Sequence, residues 1–328
     1  MHLPPAHIPV LTHEVLAALA PVPGECFVDC TAGLGGHACT VARRLGPTGV
    51  VVLNDMDREN LARAAAAVAE VQKSERGEEE SLSAAPAPSS LVRSFARSLV
   101  PLHGNFALLG HELSRRGLRA DMLLADLGFA SNQMSAAERG FSFQADGPLD
   151  MRLDPTLALT AAEVVNTFSE AELVRILSEW GEERAAWKIV RKIVQTRPAS
   201  PILTTHQLAE LVRGVVPSSG NAAIHPATRT FQALRIAVND ELGNLDALLA
   251  SIGREVRAAT PTWLNPGARM VFISFHSLED RQVKRAVQEW GKFGAKAMVK
   301  GCVTASEAEI AANPRCRSAK LRAVSMKQ

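Results

Sequence analysis

Short apolar runs alternate with helical stretches in the first third of the chain. Four runs of apolar and β-branched residues predict buried strands, at residues 25–29, 49–53, 99–102 and 122–125. Stretches of helical character follow the first two of these runs. Strands that alternate with helices usually form a parallel sheet with helices packed on its faces. The pattern therefore predicts an α/β fold.

The stretch 73–98 interrupts this alternation, because Glu, Ser, Ala and Pro are mixed there without an apolar period. Segments of this composition bury too little apolar surface to offset the entropy lost on ordering. We therefore predict a disordered insertion at 73–98 within the first part of the α/β domain, which we place at residues 1–134.

Helix-start signals replace the strand signals in the middle of the chain. Thr160 with Glu163, and Ser169 with Glu172, each have the spacing of a capping box, which satisfies the first free amides of a helix. No strand pattern accompanies them. We therefore predict an inserted all-helical domain at residues 135–224.

The α/β pattern resumes in the last third, which we assign to residues 225–328. Apolar residues recur at steps of three and four from Phe231 to Val256, which predicts one long helix with a single buried stripe. Residues 270–274 predict a further central strand, and Ser277 is expected to cap the helix after it. Residues 321–326 predict a last strand at the edge of the sheet.

Composition and charge narrow the class of protein. The chain has 328 residues, 47% of them apolar, and none of its apolar runs approaches the roughly 20 residues that cross a bilayer. The five cysteines form no metal-like set and no secretory leader is evident, so we expect a cytoplasmic protein with reduced thiols, no membrane partner and no metal.

The net charge of +2 is unevenly distributed. Residues 281–328 contain eleven Lys and Arg against three Glu, a local charge of +8, so the remaining residues sum to −6. A basic segment of this kind favours a polyanionic partner, with a solvated tail as the alternative interpretation.

The strongest chemical motif is the glycine-rich turn at residues 29–38, between the first strand and the next helix. Gly33, Gly35 and Ala38 fit the pattern G-x-G-x-x-A, and Asp55 lies about twenty residues further on, where a ribose-binding carboxylate is expected. The pairing suits NAD and S-adenosylmethionine equally well. The alternative is a tight turn without a ligand.

Two polar residues near this turn have competing interpretations. His37 either donates to a ligand carboxylate or caps the turn. Asp57 competes with Asp55 for the ribose, but its position after the strand suits a helix N-cap better, so we select Asp55.

Asp126 follows the fourth predicted strand, at the carboxyl edge where open parallel sheets bind ligands. A carboxylate there can accept hydrogen bonds from the exocyclic amine of a nucleobase, whose lone pair is otherwise delocalised into the ring. His276 leaves the fifth strand at the same edge and is a second catalytic candidate. The alternatives are a helix cap for Asp126 and a structural role for His276.

Candidates for substrate binding lie on glycine-containing loops and on one helix edge. Such loops can clamp phosphates and stack a flipped base, although a buried aromatic anchor or a solvated face would leave the same pattern. The candidates are Arg139, Phe141, Arg152, Arg229, Arg235 and Asn239.

Taken together, these segments resemble the bacterial 16S ribosomal RNA cytosine-N4 methyltransferases, the family called RsmH or MraW. The resemblance covers nearly the whole chain apart from residues 73–98. It rests on residues 7–11, 14–16, 31–37, 105–106, 126–133, 138–143, 146–152, 181–184, 225–239, 274–281, 313–315 and 317–322.

The resemblance implies a Rossmann-like class I methyltransferase whose inserted helical domain helps to recognise the ribosomal substrate. It implies methyl transfer from S-adenosylmethionine to N4 of the cytidine at position 1402 of 16S rRNA in the small subunit. The implied cofactor contacts are Gly35, Gly36, His37, Asp55, Phe106, Asp126 and Gln133. Phe129 and Ala130 depart from the family, which usually has a smaller aliphatic residue and a serine there.

Three hypotheses follow. The leading one is an rRNA methyltransferase, the second is a nicotinamide-dependent dehydrogenase with the same glycine turn, and the third is a non-catalytic RNA-binding protein. The oligomeric state is left open, a homodimer included.

Overall fold

The computed structural model describes residues 9–46, 48–82, 98–216 and 225–328. The strands in chain order are β1 Cys26–Asp29, β2 Val50–Asp55, β3 Ser98–His103, β4 Ala120–Asp126, β5 Leu264–Ser274, β6 Lys296–Ala297, β7 Val303–Thr304 and β8 Lys320–Ser325. The helices are α1 Thr12–Leu19, α2 Gly36–Ala42, α3 Arg58–Leu82, α4 Leu109–Arg115, α5 Ser131–Ser135, α6 Ala161–Thr167, α7 Glu170–Arg175, α8 Ala186–Thr196, α9 Thr205–Val215, α10 Thr228–Asn239, α11 Glu241–Arg257, α12 Ser277–Gly291 and α13 Glu307–Ala312.

The chain divides into two compact units. The first unit comprises Met1–Gly128 with Asn244–Gln328, and the second unit comprises Phe129–Gly243. The second unit is wider at both ends than the 135–224 range inferred for the insertion. Among its described residues, the regular elements are helices joined by loops, with one isolated bridge between Pro148 and Thr204.

A mixed sheet with a parallel centre forms the first unit, in the order β3-β2-β1-β4-β5-β8-β6, with β7 also paired to β8. Strands β1 to β5 pair in parallel, and β8 runs antiparallel to β5. This confirms the predicted α/β class. The expectation that residues 321–326 lie at the sheet edge is wrong, because β6 and β7 pair with the side of β8 that faces away from β5.

Both faces of the sheet are buried, which explains the continuous apolar runs in its strands. Neighbouring strand residues enter different cores: Phe27 and Leu124 lie in one cluster, and Val28 and Leu123 in the other. Successive side chains of a strand point to opposite faces, so covering both faces requires apolar residues at every position.

The predicted disorder is wrong at its start, because α3 continues to Leu82. Residues 72–82 are rich in Lys, Glu and Arg, which have high helix propensity, and no proline occurs between residue 72 and Pro86. The helix therefore extends without needing an apolar stripe. Residues 83–97 of the expected insertion lie outside the described residues.

The long helix predicted from Phe231 to Val256 is in fact two helices. Asp240 adopts a left-handed conformation, with φ of 47°, between α10 and α11. Leu234 belongs to the core of the second unit, whereas Leu249 belongs to a core of the first. The apolar spacing continues across the break because both helices bury a face, but each face enters its own core.

The helix caps were predicted with mixed success. In the second unit, Thr160 accepts from the amide of Glu163, and Ser169 from that of Glu172, which confirms both capping boxes. Helix α12 is instead capped by His276, one residue before the expected Ser277, and Glu279 is the acid of that box.

Candidate active site

Acidic side chains end three neighbouring strands of the first unit at one edge of the sheet. Asp29 is the last residue of β1, Asp55 of β2 and Asp126 of β4. The three strands are parallel, so their carboxyl ends meet at the same edge. Ligands of open α/β sheets bind outside this edge.

Backbone geometry explains the glycines of the turn after β1. Gly33 and Gly35 have φ of 52° and 83°, values that favour glycine. A Cβ on Gly35 would lie 3.0 Å from Cα of Ala64 in α3, and a Cβ on Gly36 would lie 3.1 Å from Pro9. Close packing within the protein therefore accounts for the missing side chains at 35 and 36, independently of any ligand.

Asp55 ties the glycine turn to the end of β2. The amide of Gly33 donates to its Oδ2 at 2.7 Å, and the amide of Asp57 donates to its Oδ1 at 2.8 Å. Burial raises the pKa of Asp55 to about 6, partly opposed by these two amide donors. Each carboxylate oxygen can accept a second bond, so Asp55 retains capacity for a ligand hydroxyl.

Asp57 has the capping geometry that its position predicted. Its Oδ1 accepts from the amides of Glu59 at 3.0 Å and Asn60 at 3.3 Å at the start of α3. The carboxylate is buried, with 4% of its surface exposed. Asp57 therefore serves the helix, and Asp55 is the carboxylate better placed for a ribose.

His37 lies in the first turn of α2 and is only 6% exposed. Neither ring nitrogen has a hydrogen-bond partner within the described part of the chain, and Nε2 lies 3.7 Å from Oδ2 of Asp126. Buried polar atoms are seldom left without partners in folded proteins. This orphaned imidazole fits a site that is completed by a polar ligand.

Two hydrogen bonds fix the position of Asp126, one from its backbone amide and one to its carboxylate. Its amide donates to the hydroxyl of Thr31 at 2.8 Å, and its Oδ1 accepts from the amide of Gly128 at 3.2 Å. The side chain is 19% exposed. The carboxylate thus forms the turn after β4 and keeps lone pairs of Oδ2 for other donors.

Asp29 was not singled out by the sequence, although it begins the glycine turn. It is 2% exposed, and its Oδ1 accepts from the amide of Thr31 at 3.1 Å. Burial raises the pKa of Asp29 to about 7, an effect that His37 and the Thr31 amide oppose. Its position at the end of β1 was the available signal.

Asn54 is a second residue that sequence reasoning missed. Its amide nitrogen donates to the carbonyls of Cys30 at 2.9 Å and Gly104 at 3.1 Å, so it joins the loops that follow β1 and β3. Phe106 lies in a 3-10 turn beyond the second loop and packs partly against a core of the first unit. Asn54 thereby fixes the loops that carry the glycine turn and Phe106.

His276 has the contacts of a helix cap. The amide of Glu279 donates to Nδ1 of His276 at 3.5 Å, and Nε2 lies 3.1 Å from a Glu279 carboxylate oxygen. Glu279 also accepts from the amide of Phe275 at 2.8 Å. These contacts fix the start of α12.

The remaining predicted residues belong to the second unit. Gln133 is buried and accepts from the amide of Ala130 at 3.1 Å. Arg139 donates to the carbonyls of Arg152 at 3.0 Å and Leu153 at 2.9 Å, and its guanidinium lies 5.8 Å from the ring of the buried Phe141.

The other loop and helix candidates of the second unit also have internal partners. Arg152 forms two hydrogen bonds with Asp150, both at 2.8 Å. Asn239, 3% exposed, accepts from the amide of Leu153 at 2.7 Å and donates to the carbonyl of Met151 at 2.8 Å. These bonds hold the loop against α10.

Two arginines of α10 complete the predicted set. Arg235 pairs with Glu241 through two bonds of 2.7 and 2.8 Å, and its guanidinium lies 3.9 Å from the centre of the Phe129 ring. Arg229 donates to the carbonyl of Glu182 at 3.3 Å. The large Phe129, unusual at this position in the resemblance, thus has a cation–π partner.

Comparisons with known proteins give the family. Residues 5–327 match the model of the MraW methylase family. The chain is 43% identical to a ribosomal RNA small subunit methyltransferase H of Acidobacterium capsulatum over 98% of both chains. It is also 43% identical to the protein of the same name from Syntrophotalea carbinolica, over 97% of both.

The chain is also similar to a solved structure, at lower identity. A methyltransferase homolog from Pyrococcus horikoshii is 12% identical, with a TM-score of 0.42 over 96% of this chain and 66% of that one. The family therefore follows from the sequence match, which spans nearly every residue on both sides of the alignment. This chain belongs to the MraW methylase family.

Proposed function

We propose that this protein transfers a methyl group from S-adenosylmethionine to N4 of cytidine 1402 in the decoding region of 16S rRNA. The observation that carries the proposal is the 43% identity to a ribosomal RNA small subunit methyltransferase over 98% of both chains. The base and the atom come from the family resemblance and are the finer part of the proposal.

The first unit has groups suited to this donor. Asp55 is assigned to the ribose hydroxyls, because it is the last residue of β2 and its carboxylate oxygens can each accept a further hydrogen bond. His37 is assigned to the carboxylate of the donor, because its buried ring nitrogens have no partner among the described residues. When bound, S-adenosylmethionine supplies an electrophilic methyl group on a sulfonium sulfur.

Asp126 is assigned to the amino group of the cytosine. Asp126 is the last residue of β4 and its carboxylate is partly exposed. The hydrogen bond from the Gly128 amide already fixes this carboxylate, so it need not reorganise when an N–H group approaches. When the carboxylate accepts a hydrogen bond from an N–H group of N4, it favours the pyramidal amine, whose lone pair can attack the methyl group. The carboxylate also provides an acceptor for the proton that leaves N4. The chain otherwise contributes by positioning the two reactants.

Three further residues have roles in the proposal. Phe106 is expected beside the adenine, and Gln133 is expected to contact the donor. His276 is retained only as a residue that could position substrate, since its side chain caps α12. Because the proposed substrate is a ribosomal subunit, we also propose that the reaction takes place in the cytoplasm; the oligomeric state is left open, a homodimer included.

The dehydrogenase and the non-catalytic RNA-binding protein are not favoured, because the matching family is one of methylases. Among the described residues, none of the helices has both the length and the apolarity needed to cross a bilayer.

The decisive test is mass spectrometry of nucleosides from small-subunit rRNA of cells with and without this chain. Loss of N4-methylated cytidine in cells that lack the chain is expected, and its restoration by the wild-type chain completes the test. An unchanged nucleoside profile would contradict the proposal. A thermal-shift comparison gives a second check, because S-adenosylhomocysteine should stabilise the fold and NADH should not.

A further inference from the structure

Helix α8 of the second unit has two chemically different sides. Ala186, Ile189, Val190 and Ile193 are buried in the core of that unit. The opposite side carries Trp187, Lys188, Arg191 and Lys192, all exposed, and Arg184 is exposed just before the helix. We call these five residues the α8 basic face. Within the helix there is no acidic residue.

The positive charges of the α8 basic face are not compensated. Arg184, Lys188, Arg191 and Lys192 form no ion pair within the part of the chain that the structure describes. Lys188 and Lys192 are four residues apart, a spacing at which like charges destabilise a helix. The acids nearest in sequence, Glu182 and Glu183, precede the helix, where they suit its dipole.

Other exposed arginines of the second unit differ in this respect. Arg175 of α7 lies 3.8 Å from a carboxylate oxygen of Glu179, and Arg213 of α9 pairs with Glu210. Exposed arginines in this unit can therefore have acidic neighbours on their own helix. The α8 basic face lacks them, which leaves a local positive field for a polyanion.

Trp187 adds an aromatic surface to these charges. Its side chain is 55% exposed, and the guanidinium of Arg191 lies 5.3 Å from the centre of its ring. An exposed indole among cations is a platform on which an unpaired base can stack, with the neighbouring charges contacting phosphates.

A cavity of about 280 Å³ adjoins the end of the face. Lys192 contributes to its wall together with the hydroxyl-bearing Thr196 and Ser200 and the amide of Gln207. These groups can donate hydrogen bonds to a phosphate or a ribose. The rest of the wall is apolar, from Pro201, Ile202 and Leu211. The cavity is therefore a recess of mixed lining next to Lys192.

We propose that the α8 basic face binds a single-stranded segment of the RNA substrate. Lys188, Arg191 and Lys192 contact the phosphates, and one base stacks on Trp187. This inference rests on the proposed function for the identity of the RNA. The binding surface itself is argued from charge, exposure and the arrangement of the side chains.

The first experiment compares two double variants that each remove two positive charges. Lys188→Gln/Arg191→Gln alters the α8 basic face, and Arg175→Gln/Arg213→Gln alters paired arginines of the same unit. Steady-state methyl transfer to isolated small subunits is measured at several salt concentrations. We expect the first variant to raise KM about tenfold with kcat within twofold, and the control to stay within twofold in both.

The salt dependence gives an independent readout. Each lost phosphate contact to a single strand lowers the slope of log affinity against log salt by about 0.7. Binding of a fluorescent single-stranded RNA to Lys188→Gln/Arg191→Gln should therefore show a slope smaller by about 1.4. An unchanged slope together with an unchanged KM would overturn the proposal.

Stacking is tested at Trp187. Trp187→Leu should weaken RNA binding about tenfold, because it keeps apolar bulk but removes the ring, whereas Trp187→Phe should stay within about threefold. Leu203→Ala removes another exposed apolar side chain of the second unit and should have no effect. Equal affinities for the Leu and Phe variants would exclude stacking.

The outcomes separate this inference from the proposed function. If the wild-type protein leaves small subunits unmethylated, the proposed function fails. Binding of the fluorescent single-stranded RNA still tests RNA binding by α8. If the wild type methylates them and the α8 variants keep its KM and salt slope, only the inference fails. If the wild type sediments as a dimer and the Trp187→Leu variant as a monomer, the face instead joins two copies of the chain.

Discussion

His37 at the sheet edge of the first unit and the predicted substrate residues of the second unit differ in their hydrogen bonding. At the sheet edge, His37 is buried without a hydrogen-bond partner among the described residues, and burial raises the pKa of Asp29 and Asp55. In the second unit, Arg152 and Asn239 are bonded to groups of their own unit. Unsatisfied buried groups favour ligand binding, whereas satisfied ones favour a structural role.

Two basic regions were found in different ways. The sequence pointed to residues 281–328, where at least three of the eleven cations are paired: Arg322 and Lys320 with Asp280, and Lys292 with Glu289. No sequence pattern singled out the α8 basic face, yet its charges have no ion pairs within the described residues. Net charge along the sequence therefore did not by itself locate the α8 basic face.

The largest expected effect concerns Asp126, the acid assigned to the reacting amine. Asp126→Ala and Asp126→Asn should each lower kcat for methylation of small subunits about 10²- to 10³-fold, since each loses the carboxylate. The Asn variant keeps an acceptor for the Gly128 amide and so controls for the turn. Near-normal turnover at saturating donor would remove Asp126 from the reaction.

A second prediction tests the structural interpretation of the second unit. Asn239→Ala should lower the free energy of unfolding by about 2–3 kcal/mol, because the amide of Leu153 and the carbonyl of Met151 lose their partner. Urea unfolding measures the change. Thr228→Ala, at an exposed position of the same helix, should stay within about 0.5 kcal/mol. A stable Asn239→Ala variant with impaired RNA binding would assign the residue to substrate instead.

A third prediction concerns the cofactor. Asp55→Ala should weaken S-adenosylhomocysteine binding about 10- to 100-fold, because it loses a charged acceptor and frees the Gly33 amide that shapes the glycine turn. Isothermal calorimetry measures the affinity, with Glu59→Ala at the exposed start of α3 as the control. Unchanged affinity would show that the donor lies elsewhere.

A fourth prediction is a pH dependence of stability from Asp29. Its pKa is about 7 in the folded protein against 3.8 as the ordinary value, so the folded state holds the proton more tightly. The stabilisation is complete below about pH 4 and is lost as pH rises towards 7, with a slope of at most about 1.4 kcal/mol per pH unit.

Asp29→Asn provides the comparison for that prediction, because it keeps the size and an acceptor for the Thr31 amide without titrating. Between pH 4 and 7 its stability in urea should rise relative to that of the wild type as the pH increases. Parallel stability curves for the two proteins would mean that Asp29 does not hold a proton in the fold.

Local sequence signals predicted the strands and the turn that carry the candidate site. Asp55 ends β2 and Asp126 ends β4, as the apolar runs predicted, and the glycine turn after β1 has the positive φ values that favour glycine. The capping boxes at Thr160 and Ser169 were also predicted, because their partners lie three residues away. Interactions between residues only a few positions apart can be predicted from a short stretch of sequence.

Only the tertiary structure decided which polar groups have partners and which core each apolar stripe enters. The spacing from Phe231 to Val256 is the same for one helix or two, so the break at Asp240 was invisible. The bonds from Asn239 to residues 151 and 153, and the strands on both sides of β8, join segments that are distant in sequence. Sequence periodicity records that a side chain is buried, whereas its neighbours are set by the packing of the whole chain.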